Sequence, residues 1–159
     1  MPSLATIATA INGFLVDVPG ADFVAHQRLQ IYPANIPITS NQIWTIVSDA
    51  DGVPVPPGYV NIFAGDELPS HLCIDVPYAR AVSGTPVQLY PANQPGGTPN
   101  QQWKLVPVTG NLVYIASALD NNLVLDVRGG GGAAHTPLQI YSVGNEQPNQ
   151  LWLLNPAPL

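Results

Sequence analysis

The stretch Val87-Gln88-Leu89-Tyr90-Pro91-Ala92-Asn93, followed by Asn100-Gln101-Gln102-Trp103, has two counterparts in the chain. One is Leu29-Gln30-Ile31-Tyr32-Pro33-Ala34-Asn35 with Asn41-Gln42-Ile43-Trp44. The other is Leu138-Gln139-Ile140-Tyr141 with Asn149-Gln150-Leu151-Trp152. Each copy is preceded by an aspartate, in Leu15-Val16-Asp17-Val18, Cys73-Ile74-Asp75-Val76 and Leu125-Asp126-Val127. The distance from that aspartate to the Gln before the tyrosine is 13 residues in all three copies. From the Gln to the later Asn it is 11, 12 and 10 residues, and all three tryptophans of the chain fall in one slot. A fixed period of this length marks a repeat architecture.

Outward from these motifs, each repeat reads as short runs of alternating apolar and β-branched residues, broken by Pro, Gly and Asn. The alternation predicts strands over 5–11, 13–18, 28–32, 42–47, 59–64, 71–76, 87–90, 101–106, 112–118, 123–127, 138–141 and 150–154. That is about four strands per repeat and twelve in all, with no helical period. Eighteen prolines agree, because each interrupts a helix or a central strand. The length of 159 residues fits one domain, residues 1–159, with repeats at about 1–56, 57–108 and 109–159.

Composition excludes several functions. Four basic residues stand against ten acidic ones, a net charge of -6, so there is no basic stripe for nucleic acid or for an acidic membrane surface. Cys73 is the sole cysteine and cannot form an intrachain disulfide. His71 and Cys73 are too few for a structural zinc site, so Cys73 is read as a small buried hydrophobe and no metal or cofactor is called for. The opening residues have no basic region followed by an apolar run, which predicts a cytoplasmic protein.

The Gln-x-Trp triplet, led by Asn and preceded by Asp-Val and Gln-x-Tyr in each copy, resembles the ricin B-chain-like lectins. The resemblance covers essentially the whole chain. It implies an all-β fold, a β-trefoil whose six-stranded barrel is capped by three hairpins with pseudo-threefold symmetry. The missing leader and disulfides are closer to the intracellular lectins of fungi than to the secreted plant members. In that family the Asp accepts from two neighbouring sugar hydroxyls, the Asn bonds one of them, the aromatic stacks on the ring, and the Gln after the Asn braces the Asp. By motif position the first site is Asp17, Tyr32, Asn41 and Gln42, and the second is Asp75, Tyr90, Asn100 and Gln101. The third is Asp126, Tyr141, Asn149 and Gln150. The implied function is a multivalent lectin without enzymatic activity, binding galactose- or N-acetylgalactosamine-containing glycans. A β-trefoil protease inhibitor presenting one loop is the alternative, although an inhibitor has no reason to keep three such sets.

The residue chemistry agrees with that implication. An ionised carboxylate makes charge-assisted bonds to hydroxyls, and tyrosine offers a flat face to the C–H side of a sugar ring. The resemblance implies that Trp44, Trp103 and Trp152 of the Gln-x-Trp signature lie in the core, which strand parity fits, and that the tyrosines stand at the sites. Gln30, Gln88 and Gln139 lie on the tyrosine's side of their strands, with ligand contact or loop fixation both open to them. The aspartates have a competing structural role, capping backbone amides in a turn. His26 and His135 each follow their Asp by nine residues, where the second repeat has Gly84. They are read either as rims of the first and third sites or as ordinary loop histidines.

Overall fold

The computed structural model describes residues 2–66 and 71–158. The twelve anticipated strands are all present: β1 (Ser3–Thr9), β2 (Leu15–Asp17), β3 (Gln30–Tyr32), β4 (Trp44–Ser48), β5 (Val60–Ala64) and β6 (Leu72–Asp75). They continue with β7 (Gln88–Pro91), β8 (Trp103–Thr109), β9 (Leu112–Ser117), β10 (Asp120–Val127), β11 (Leu138–Ser142) and β12 (Trp152–Pro156). Antiparallel pairing runs β1 to β4, β4 to β5, β5 to β8, β8 to β9, β9 to β12 and β12 back to β1. That circuit closes a six-stranded barrel and leaves the barrel without edges. The remaining strands form three hairpins, β2 with β3, β6 with β7 and β10 with β11. The fold is a β-trefoil, as the resemblance implies.

The hydrophobic core repeats with the same threefold order. Ile7, Ile62 and Ile115, one from the opening strand of each repeat, are fully buried. So are Ile31, Leu89 and Ile140 from the second strands of the hairpins. Trp44, Trp103 and Trp152 are at most 1% exposed, which places them in the core as anticipated. Each buried indole still satisfies its N–H, as buried Trp must. Trp44 donates to Val16 O (3.1 Å), Trp103 to Ile74 O (3.1 Å) and Trp152 to Leu125 O (3.0 Å). In every case the acceptor belongs to the residue just before the motif aspartate. Cys73 is buried, and its thiol is pushed up to about 12 chiefly by that burial, so it is an inert packing group.

Gln42, Gln101 and Gln150 depart from the sequence reading, which started strands at them. Each closes a three-residue 3-10 turn, Ser40–Gln42, Pro99–Gln101 or Pro148–Gln150, and the strand begins at the tryptophan two residues on. The turn is favoured because it aims the preceding Asn and the Gln at the hairpin, where their amides find partners that a strand would deny them.

The hairpins interlock. Segment 26–28 leaves the first repeat and pairs with β7 of the second, through His26 N–H to Leu89 O (2.8 Å) and Leu89 N–H to Gln27 O (2.8 Å). Gly84 N–H to Ile140 O (2.7 Å) and His135 N–H to Ile31 O (2.9 Å) repeat the contact from the second repeat to the third and from the third to the first. All three pivots have positive φ: 73° at His26, 94° at Gly84 and 72° at His135. Glycine adopts that region freely, and histidine is among the residues that enter it most often.

Candidate functional site

The constant 13-residue spacing is the register of the hairpin. Asp17 lies directly across from Gln30, Asp75 from Gln88 and Asp126 from Gln139. The Gln amide donates to Oδ1 of its aspartate at 2.9, 3.0 and 2.9 Å respectively. Gln42, Gln101 and Gln150 donate to Oδ2 of the same aspartates at 3.0, 2.9 and 3.0 Å. Asn41, Asn100 and Asn149 add a second bond to Oδ2 at 3.1, 3.1 and 2.9 Å. The partners are side-chain amides, so turn capping is not what holds these carboxylates. Gln30, Gln88 and Gln139 each use one amide N–H to position the aspartate, and each also lines its cleft.

A carboxylate offers about four lone-pair positions. Oδ2 fills both of its own with amide N–H groups, and Oδ1 fills one. What remains at each site is one acceptor position on Oδ1, on a carboxylate locked from three sides. The braces are themselves fixed: Gln42 also donates to Pro33 O (2.9 Å), Gln101 to Pro91 O (2.9 Å) and Gln150 to Ser142 O (3.0 Å).

The asparagines are tied down as well. Asn41 and Asn100 turn their second N–H to Val18 O and Val76 O, each at 3.2 Å. Their Oδ1 accepts the hydroxyl of Thr39 (2.6 Å) or Thr98 (2.5 Å). In these two sites the Asn orients the Asp and keeps one Oδ1 lone pair that can accept a bond from a ligand hydroxyl. In the third site Gln147 stands where the other two have threonine, and Asn149 keeps its bond to Asp126 without that relay.

The histidines require a correction. His26 and His135 do border sites, but not those of their own repeats, because the interlocking loops carry each one to the next hairpin. His26 Nδ1 lies 3.3 Å from Gln88 Oε1, and its ring meets Tyr90 edge-on at 5.2 Å between centroids, in the second site. His135 Nδ1 lies 3.2 Å from Gln30 Oε1, with its ring tilted against Tyr32 at 5.0 Å, in the first. Gly84 fills this slot in the third site, where Tyr141 stands 47% exposed.

Each aspartate opens onto a cleft. The first, about 260 Å³, includes Asp17, Gly20, Tyr32 and His135. The second, about 690 Å³, includes His26, Asp75, Tyr78 and Tyr90. The third, also about 690 Å³, includes Gly84, Asp126, Arg128 and Tyr141. Sequence reasoning missed Tyr78 and Arg128, although aligning the residues after each Asp would have exposed both. Burial pushes the carboxyls of Asp17, Asp75 and Asp126 above their ordinary value, against the opposing pull of the amide bonds. Each cleft wall thus joins an acceptor, an aromatic face and amide dipoles, the groups that a polyhydroxylated ring needs.

A family model described as ricin-type beta-trefoil lectin domain-like matches residues 40–141 and 99–158. No curated protein matches the chain at the sequence level. Among solved structures, the designed threefold-symmetric protein ThreeFoil is 23% identical with a TM-score of 0.81, covering 95% of this chain and 96% of that one. The ricin B-like lectin of Macrolepiota procera, solved in complex with lactose, is 18% identical with a TM-score of 0.73 (96% and 94% covered). The exo-beta-1,3-galactanase of Clostridium thermocellum is 21% identical with a TM-score of 0.80, and the chain covers only 30% of it.

Proposed function

This chain belongs to the ricin-type β-trefoil lectin-like family, and from that premise we propose that it is a non-catalytic, multivalent lectin for galactose- or N-acetylgalactosamine-type glycans. The observation that carries the reading is the recurrence, at three clefts, of one amide-locked carboxylate with a free acceptor position on Oδ1. A locked acceptor binds a hydroxyl without first spending free energy on ordering its own side chain. In a galactose-type ring the C–H groups on the face opposite the axial hydroxyl form one apolar patch, which suits Tyr32, Tyr90 or Tyr141. The lactose-bound fungal relative supports this choice of ligand.

The non-catalytic part of the proposal is supported by the carboxylate inventory. Among the described residues, those around each cleft include a single carboxylate, Asp17, Asp75 or Asp126. Glycoside hydrolysis uses a pair about 5–10 Å apart.

Calorimetric titration should find methyl β-galactoside, N-acetylgalactosamine and lactose bound, each site with a dissociation constant on the order of millimolar to micromolar. Glucose or mannose bound in preference to galactose would overturn the specificity.

Acidification should empty the sites before it unfolds the protein. Protonating Asp17, Asp75 or Asp126 removes the charge that strengthens the hydroxyl bond, and their raised values bring this on above the ordinary carboxylate range. The folded state holds these protons more tightly than the unfolded chain. Their contribution to stability is therefore present in full below the unfolded value and is lost as pH rises through the folded one. Sugar titrations and melting curves at stepwise lower pH should separate the two effects. Binding that stays undiminished down to about pH 3.9 would contradict the assignment.

A further inference from the structure

Three residues after each motif aspartate the chain passes through the left-handed region, at Gly20 (φ 63°), Tyr78 (φ 55°) and Gly129 (φ 69°). Two repeats use glycine there. At both glycines an added Cβ would meet nothing within 4 Å, so the position opens on free space and the backbone alone selects the residue. The second repeat instead holds a tyrosine in a conformation that strains a bulky residue. The side chain recovers little by packing, because Tyr78 is 95% exposed. It lines the same cleft as Asp75 and Tyr90. That cleft measures about 690 Å³, against about 260 Å³ for the glycine-bearing first site. The larger volume lies within the range that holds a drug-sized ligand, and the smaller falls below it. The third cleft is as large, but glycines 129 and 130 occupy the positions where the second has Tyr78 and Ala79. Its volume therefore has no aromatic face at this point.

We infer that Tyr78 is a second stacking platform, which makes the second-lobe site one for a glycan of at least two rings, while the first takes a terminal sugar alone. The inference rests on the sugar-binding reading above. The terminal ring lies on Tyr90 beside Asp75, and the next ring lies on Tyr78. Strained, exposed residues of this kind persist where function holds them, and an aromatic face turned to water is the surface that a pyranose ring covers. The two glycine sites show that the fold itself does not require a side chain here.

The test uses proteins with one working site each. Asp17→Asn with Asp126→Asn leaves the second site, and Asp75→Asn with Asp126→Asn leaves the first. Calorimetry then compares lactose with methyl β-galactoside. The second site should favour lactose by roughly 3- to 10-fold, the range of one aromatic contact, and the first by less than about twofold. Tyr78→Gly, which relieves the backbone, should bring the second site to the ratio of the first, whereas Tyr78→Phe should preserve its preference. In saturation-transfer NMR the glucose ring of lactose should receive magnetisation from the second-site protein and lose it with Tyr78→Gly. A second site that binds methyl β-galactoside and lactose equally, or whose preference survives Tyr78→Gly, overturns the inference. Failure of both single-site proteins to bind either sugar denies instead the galactoside reading on which it rests.

Discussion

Replacing Asp17, Asp75 and Asp126 by Asn one after another should collapse agglutination stepwise, leaving the triple variant inert. The three carboxylates sit on different hairpins of the trefoil, so one molecule can engage several glycans on a surface. Once the first site is occupied, each further engagement is intramolecular. It can raise avidity by about 10²- to 10⁴-fold without new contacts. Asn is preferable to Ala because each aspartate receives three amide N–H groups, such as those of Gln30, Asn41 and Gln42 on Asp17. Truncation would strand those buried donors at about 1–3 kcal/mol each. Asn retains one oxygen for two of them, and the facing Gln can rotate its amide to meet the new N–H₂. Agglutination titre and calorimetric stoichiometry with free galactoside provide the measurements. The unsubstituted chain should bind close to three sugars, and each substitution should remove one. A starting value near one would end the multivalent reading, because two of the sites would then be structural remnants.

Trp103→Ala should cost about 3–5 kcal/mol, as truncations of large buried aromatics do. In a chain of this size that lowers the melting temperature by roughly 6–20 °C. Two losses combine. The indole is 1% exposed, so its removal leaves a cavity in the buried core, and Ile74 O loses the N–H that satisfied it. Ile74 precedes Asp75, so the second site should weaken along with the fold while the other two hold. Thermal melts together with titration of the three sites separate these effects. A variant that melts normally yet loses sugar binding at the second site would move the tryptophan from core to ligand platform.

The sequence alone determined the three copies, the twelve strands, the buried tryptophans and the four-residue sets around Asp17, Asp75 and Asp126. All of these are carried by local periodicity and by spacings within one repeat. The 13-residue interval from Asp to Gln is a hairpin register, and a register is legible wherever one face must be buried. The tertiary structure alone decided where His26 and His135 act. Counting from the nearest Asp assigned each to its own repeat, but His26 bonds Gln88, 62 positions away, and His135 bonds Gln30, 105 positions away. The physical reason is closure. Once the barrel joins β12 to β1, each loop that leaves a hairpin must find its hydrogen bonds on the neighbouring one. Partners chosen by closure are distant in the chain, and no local pattern of residues records them.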